Sequence, residues 1–194
     1  MTAIDTDVLI LGAGAAGLVT ALSARGRRVC LLYSGDAASE LAQGGIAAAV
    51  GADDSPELHA TDTRVAGRGR NDDGAVRFAC HGAPSAVHWL ESLGVRFART
   101  DGLWSLHLEA AHSRARVLHA GGDATGAEIM RALREQVAEA SHVEALPRMR
   151  AVALLRGPGG TGGVIARGVD GKPITVRARD IVVATGGIGA LYQR

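Results

Sequence analysis

The chain has 194 residues, with 21 Lys and Arg against 20 Asp and Glu and a formal net charge of +1. That length suffices for one sizeable core, and the near-balanced charge gives no electrostatic case for nucleic acid or an anionic membrane as a partner. No apolar run reaches membrane-spanning length and residues 1–7 lack the basic and apolar regions of a signal peptide, so a soluble cytoplasmic protein is expected.

Val8–Leu11 is apolar and predicts a buried parallel strand. Gly12, Gly14 and Gly17 follow at G-x-G-x-x-G spacing, within Gly12-Ala13-Gly14-Ala15-Ala16-Gly17. The spacing has a mechanism. Gly12 permits a tight turn, Gly14 lets the backbone approach a pyrophosphate, and Gly17 lets a helix pack on the strand. The helix Ala15–Arg25 would aim its first amides at phosphates. Gly26 ends it, and Val29–Tyr33 forms the next strand, in which Cys30 is expected to be a reduced core residue. The acid that usually binds a ribose at the end of that strand is missing. Tyr33, Ser34 and Gly35 stand there, and Ser34 is the residue placed to meet a ribose hydroxyl.

Ser34–Asp73 is polar, contains glycine and has little periodicity, the mark of a functional stretch inside a compact domain. Asp72–Gly94 reads as a helix. Val76, Cys80, Ala83, Val87 and Leu90 share one face, Phe78 lies off it, and Pro84 predicts a kink or two short helices. Cys80 is again expected in the core. Leu103–His119 is rich in histidine and charge. Thr125-x-x-Glu128 predicts a capping box, opening a helix whose buried side carries Ile129, Met130, Leu133 and Val137. Val143–Leu146 reads as a short strand. Ala151–Leu155, Val164–Val169 and Ile174–Ala178 read as an antiparallel meander, turned at Gly157–Gly163 and at a type I′ Asp170-Gly171. Ile181–Ala184 predicts a further buried strand. Thr185-Gly186-Gly187 then sits at the carboxyl edge of the sheet, where ligands bind. The fold class is therefore α/β: a Rossmann-like, doubly wound dinucleotide-binding domain spanning 1–194, with a small antiparallel meander inserted. The closing stretch Thr185–Arg194 reads as the interior of a longer protein.

Seven ordered segments carry a resemblance. They are Leu9–Gly17, Ala42-Gln43-Gly44-Gly45-Ile46-Ala47-Ala48, His59-x-x-Asp62-Thr63-x-x-Ala66-Gly67, and Trp89-Leu90-x-x-x-Gly94-Val95-x-Phe97. Glu109-x-x-His112-Ser113-x-x-Arg116-Val117-Leu118-His119-Ala120, Asp123-Ala124-Thr125-Gly126 and Ala184-Thr185-Gly186-Gly187 complete them. Together they resemble the L-aspartate oxidase family, within the fumarate reductase/succinate dehydrogenase flavoproteins.

The resemblance implies FAD held without a covalent bond. Succinate dehydrogenases carry a flavin-linking histidine just before the A-Q-G-G segment, whereas here Ala38, Ser39, Glu40 and Leu41 precede it. Cofactor contacts are expected from Gly12, Ala13, Gly14, Ala15, Ala16 and Gly17, from Ser34, from the flavin-side loop with Ser39, Gln43, Gly44 and Gly45, and from Thr185, Gly186 and Gly187. The resemblance assigns Glu109 to the amino group of L-aspartate, by a charge-assisted hydrogen bond that succinate lacks the group to make, with His112 beside it in the catalytic site. Arg116 and His119 are further candidates to meet carboxylates or flavin. Relatives have two glycines where this chain has Ala110 and Ala111. A positive φ there would strain alanine.

The implied reaction is oxidation of L-aspartate to iminoaspartate, with oxygen or fumarate as acceptor and transfer of iminoaspartate to quinolinate synthase, at the start of de novo NAD formation. The family's catalytic arginine, capping domain and C-terminal helical domain lie beyond the matched region. The chain is thus expected to be an N-terminal fragment that does not turn over aspartate alone. The alternatives are a fumarate reductase or succinate dehydrogenase-like flavoprotein, and a non-catalytic FAD-binding module.

Overall fold

The computed structural model describes residues 2–157 and 160–188. In chain order the elements are β1 (Thr2–Leu11), α1 (Ala15–Ser23), β2 (Val29–Leu32), β3 (Ile46–Ala47), α2 (Pro56–Gly67), α3 (Asp73–Ser92), β4 (Arg99–Thr100), β5 (Leu103–Trp104), β6 (Leu106–His107) and β7 (Val117–Leu118), followed by α4 (Thr125–Glu139), β8 (Val143–Leu146), β9 (Arg150–Gly157), β10 (Gly160–Arg167) and β11 (Pro173–Val183). The chain divides into two compact units, residues 1–40 with 133–194, and residues 41–132.

The first unit is built on a six-stranded sheet in the order β8-β2-β1-β11-β10-β9. β8, β2, β1 and β11 run parallel; β10 and β9 continue the sheet antiparallel. The apolar run of β1 is buried on both faces, as a central parallel strand requires. Leu9 and Leu11 join Cys30, Leu32, Val164, Ala166 and Val176 in one core. Cys30 is a free thiol, and burial, then the nearby Glu144, pushes its pKa up to about 12. It is an inert core residue.

Several expectations change here. Ile174–Ala178 and Ile181–Ala184 are not two strands. β11 is a single strand of 11 residues, paired with β1 from Ile174 to Val183 and with β10 along its first half. The polar run Arg177-Ala178-Arg179-Asp180 hides this continuity, because backbone pairing with β1 does not depend on those side chains. β9 and β10 reach further than the meander predicted, β9 running to Gly157 and β10 starting at Gly160; residues 158, 159 and 189–194 lie outside the described residues. The second turn is not type I′. Gly171 N donates to Gly168 O at 3.0 Å, and Gly171 alone is left-handed, at φ +72°, so the turn centres on Val169-Asp170.

In the second unit α2 packs on α3 around Ala60, Val76 and the free thiol Cys80. Sequence periodicity passes over α2 because its buried side carries only His59 and Ala60. Its start is nonetheless written plainly: Ser55 caps it by accepting from Leu58 N, with Pro56 opening the first turn. α3 is one helix of 20 residues, not two. Pro84 forfeits one backbone donor, but Val76 and Cys80 before it and Val87 and Leu90 after it are all buried, and that shared face outweighs the loss. Phe78 is 85% exposed, off the face as expected. The capping box also fails. Thr125 Oγ1 engages the backbone of Ala120, and the Glu128 carboxylate accepts from Arg96 N, Arg96 Nε and Arg131 Nε. Hydrogen bonds from Arg131 and Arg96 hold Glu128 well below the usual carboxylate range.

A nucleotide cradle and a clamped carboxylate loop

Within the first unit, Gly12 donates its N–H to Leu32 O at 2.8 Å and takes φ +109°. A Cβ there would lie 2.8 Å from Ala184 C and 3.3 Å from Thr185 Cα. Only glycine fits, and the carboxyl ends of β1 and β11 meet at this point. Gly17 is equally constrained, because its Cβ would strike the Gly12 carbonyl. Gly14 differs. Its φ of −74° suits any residue, and a Cβ would make only ordinary contacts with Ser39 and Ala37. Nothing among the described residues demands glycine at position 14.

Gly14 is also the N-cap of α1 and offers no side-chain cap. Ala15 N donates to Ser39 Oγ at 3.3 Å, and Ala16 and Gly17 stand in the first turn, where helical amides lack intrahelical acceptors. Space above Gly14 and unsatisfied amides at a helix N-terminus fit a pyrophosphate. The structure thus brings Gly12, Gly14, Gly17, Ser39 and Thr185 to one edge of the sheet. Ala13 is buried behind them, Gly186 has φ +77°, Gly187 is exposed, and Ser34 is exposed beyond β2.

The second unit holds Gln43, Gly44, Gly45, Glu109 and His112. Gln43 is exposed and Gly44 is left-handed at φ +73°. Gly45 has a reason internal to the protein. A Cβ would fall 2.5 Å from Leu118 O and 3.1 Å from His119 Nε2.

Glu109 begins a turn closed by His112 N donating to Glu109 O at 3.2 Å. Ala111 sits in it at φ +68°, whereas Ala110 is not left-handed. One of the two alanines therefore occupies the strained conformation that glycine takes freely, at a cost of about 1–2 kcal/mol. Ala111→Gly is expected to stabilise the chain by about 1 kcal/mol, after allowing for the added freedom of the unfolded glycine. A urea midpoint that falls would contradict the strain.

The loop after this turn is clamped from below by charge. Arg116 is fully buried and donates through Nε and Nη2 to both oxygens of Asp54 at 2.8 Å, and through Nη1 to Asp62 at 2.6 Å. The same Asp62 oxygen accepts Ser113 N and Ser113 Oγ, each at 2.8 Å. Arg116 is thus not available to substrate or flavin, as the sequence had suggested it would be. It is the structural post of the loop. Asp54 and Asp62 were missed as functional supports, although Asp62 lies in the quoted His59-x-x-Asp62 segment.

Burial raises the pKa of Asp62, but the hydrogen bonds from Ser113 and Arg116 outweigh it and hold the group at about 2. A depressed folded pKa contributes stability above the unfolded value of 3.8 and loses it as pH falls toward 2. The melting temperature is expected to drop between about pH 4 and pH 2, with a shallower drop in Asp62→Asn. Equal slopes would rule out this group as a source of acid lability.

His112 Nδ1 lies 3.3 Å from Arg116 Nη1, and its ring centroid is 5.7 Å from that of His59. His59 is buried, and its Nδ1 has no partner among the described residues. Burial first, then Arg116 and His112, lower its pKa, so it is neutral at pH 7. Glu109 Oε1 meets His119 Nε2 at 3.0 Å.

A glycine-rich turn at the head of a doubly wound sheet, with a helix N-terminus behind it whose Ala16 and Gly17 amides lack intrahelical acceptors, defines a dinucleotide-binding protein. The chain belongs to the FAD binding domain family, whose model matches residues 7–194. It is similar to the L-aspartate oxidase of Mesorhizobium japonicum, at 43% identity over 189 residues, covering 95% of this chain and 37% of that protein. It is also similar to that of Streptomyces coelicolor, at 40% identity over 202 residues, covering 98% and 35%. Among solved structures it resembles Sdh1 of Mycobacterium smegmatis (TM-score 0.90, 30% identity, covering 97% of this chain and 35% of that one). It likewise resembles the quinol fumarate reductase chain FrdA of E. coli (TM-score 0.92, 26% identity, covering 99% and 34%). The chain spans about a third of the length of the relatives it matches. No helix among the described residues is long and apolar enough to cross a membrane.

Proposed function

We propose that this chain is the FAD-holding portion of an L-aspartate oxidase that works in the cytoplasm and binds its flavin without a covalent bond. When bound, the flavin supplies the acceptor for the α-carbon hydride of L-aspartate, and oxygen or fumarate takes the electrons on. Gly14 gives the pyrophosphate room, and the first amides of α1 meet its charge. Ser39, Gln43 and Gly44 serve the flavin side, and Thr185, Gly186 and Gly187 line the sheet edge. Glu109 accepts a charge-assisted hydrogen bond from the substrate ammonium, with His112 beside it on the same clamped loop. The iminoaspartate product would pass to quinolinate synthase for NAD formation.

One observation carries the reading: Glu109 presents a half-exposed carboxylate on a loop pinned by a buried arginine. The roughly 40% identity to L-aspartate oxidases across the whole chain supports it, and so does the absence of histidine from positions 38–41. The experiment is a titration of the flavin spectrum of the FAD-loaded chain. L-aspartate is expected to perturb the spectrum at concentrations where succinate does not. Equal responses would favour a dehydrogenase-like flavoprotein, and no response to either would favour an FAD-binding module without catalysis.

A further inference from the structure

We infer that His119 is the positioning residue for Glu109, fixing one carboxylate oxygen so that the other is presented to a substrate ammonium; the inference rests on the aspartate reading above. Glu109 stands on an exposed turn, and its side chain is 48% exposed. A glutamate in that setting samples many rotamers, and binding must then freeze them. His119 removes that freedom, because its Nε2 lies 3.0 Å from Oε1.

His119 is itself held on several sides. Its side chain is only 19% exposed. Its carbonyl accepts Ala98 N at 2.8 Å, directly after β7. Its ring meets the ring of His107 edge-on, with centroids 4.8 Å apart. Gly45 lies against it so closely that a Cβ would come within 3.1 Å of Nε2. The glycine of the A-Q-G-G segment therefore leaves space for the histidine that holds Glu109.

The chemistry follows from the donor count. An imidazole Nε2–H satisfies Oε1 and leaves the carboxylate charge in place, and Oε2 is not engaged among the described residues. A carboxylate so arranged accepts a substrate N⁺–H without first reorienting. Succinate carries no ammonium, so the device acts on aspartate alone.

Two measurements on the FAD-loaded chain test this. The first is the imidazole ¹⁵N spectrum. A slowly exchanging Nε2–H signal, assigned by its loss in His119→Gln, is expected to vanish in Glu109→Ala. A signal unmoved by Glu109→Ala overturns the pairing. The second is the dissociation constant for L-aspartate and for succinate, read from the flavin spectrum. His119→Ala is expected to weaken aspartate binding about tenfold, the worth of one charge-assisted hydrogen bond, and to leave succinate unchanged. His119→Gln keeps a donor and is expected to restore most of the loss. Equal weakening of both ligands in His119→Ala, or weakening of neither, overturns the inference alone. A wild-type chain that binds aspartate no better than succinate, or binds neither, overturns the aspartate reading and the inference with it, even where the ¹⁵N signal reports the pair.

Discussion

Replacing Arg116 with methionine is expected to cost about 3–5 kcal/mol, since it leaves the carboxylate of Asp54 buried and uncompensated. Arg116 and the Asp54 side chain are both inaccessible to solvent, and the guanidinium spans two carboxylates. Domains are stable by about 5–15 kcal/mol, so this one change removes much of the margin. Methionine approximates the volume of the arginine stem, so the loss reports charge more than packing. The double variant Arg116→Met, Asp54→Leu is expected to recover at least half of the loss, because no unpaired buried charge remains at that end. Urea unfolding followed by far-UV circular dichroism checks both. A single variant within about 1 kcal/mol of wild type, the range of an exposed ion pair, would show that the clamp is not a structural post.

The second large effect separates two glycines of one motif. Gly17→Ala is expected to destabilise the chain severely, because its Cβ would lie 2.9 Å from Gly12 C and closer still to the carbonyl oxygen, a contact with backbone that cannot yield. Gly14→Ala is expected to leave stability nearly unchanged, since the backbone there suits alanine and the new methyl meets only ordinary neighbours. It is expected instead to lower FAD affinity by tenfold or more, the equivalent of about 1.4 kcal/mol, because the methyl occupies the pyrophosphate's approach. Thermal melts and flavin fluorescence titration read the two effects separately. A Gly14→Ala chain with normal FAD affinity would remove the ligand as the reason for that glycine.

The two predictions show which parts of this chain are legible in its sequence. The Gly12, Gly14 and Gly17 spacing is readable as a motif, although only Gly17 is required by a neighbour a few residues away, the Gly12 carbonyl; Gly12 is required by the distant Ala184, and no contact among the described residues requires Gly14. α1, β2, β8 and the buried face of α3 are readable because their apolar spacing is local. Ala111 is a similar case. Placing it where relatives have glycine foretells its left-handed backbone, although Ala110 escapes the same fate. What stays hidden depends on distant partners. The Arg116 clamp joins residues 54, 62, 113 and 116, and no spacing rule links them. α2 is hidden because a histidine and an alanine form its buried side. β11 reads as two strands because its pairing with β1, not its own side chains, carries it through Arg177–Asp180. Thr125 and Glu128 have the spacing of a capping box, but arginines 96 and 131 and the Ala120 backbone compete for their side chains and win.

The measurement that bears most directly on the central claim is the visible spectrum of the chain purified with added FAD, taken before and after acid precipitation. The expected result is a yellow protein that releases free FAD into the supernatant. Flavin that stays with the pellet would contradict a non-covalent site, and a colourless protein that takes up no FAD would contradict the cradle above Gly14.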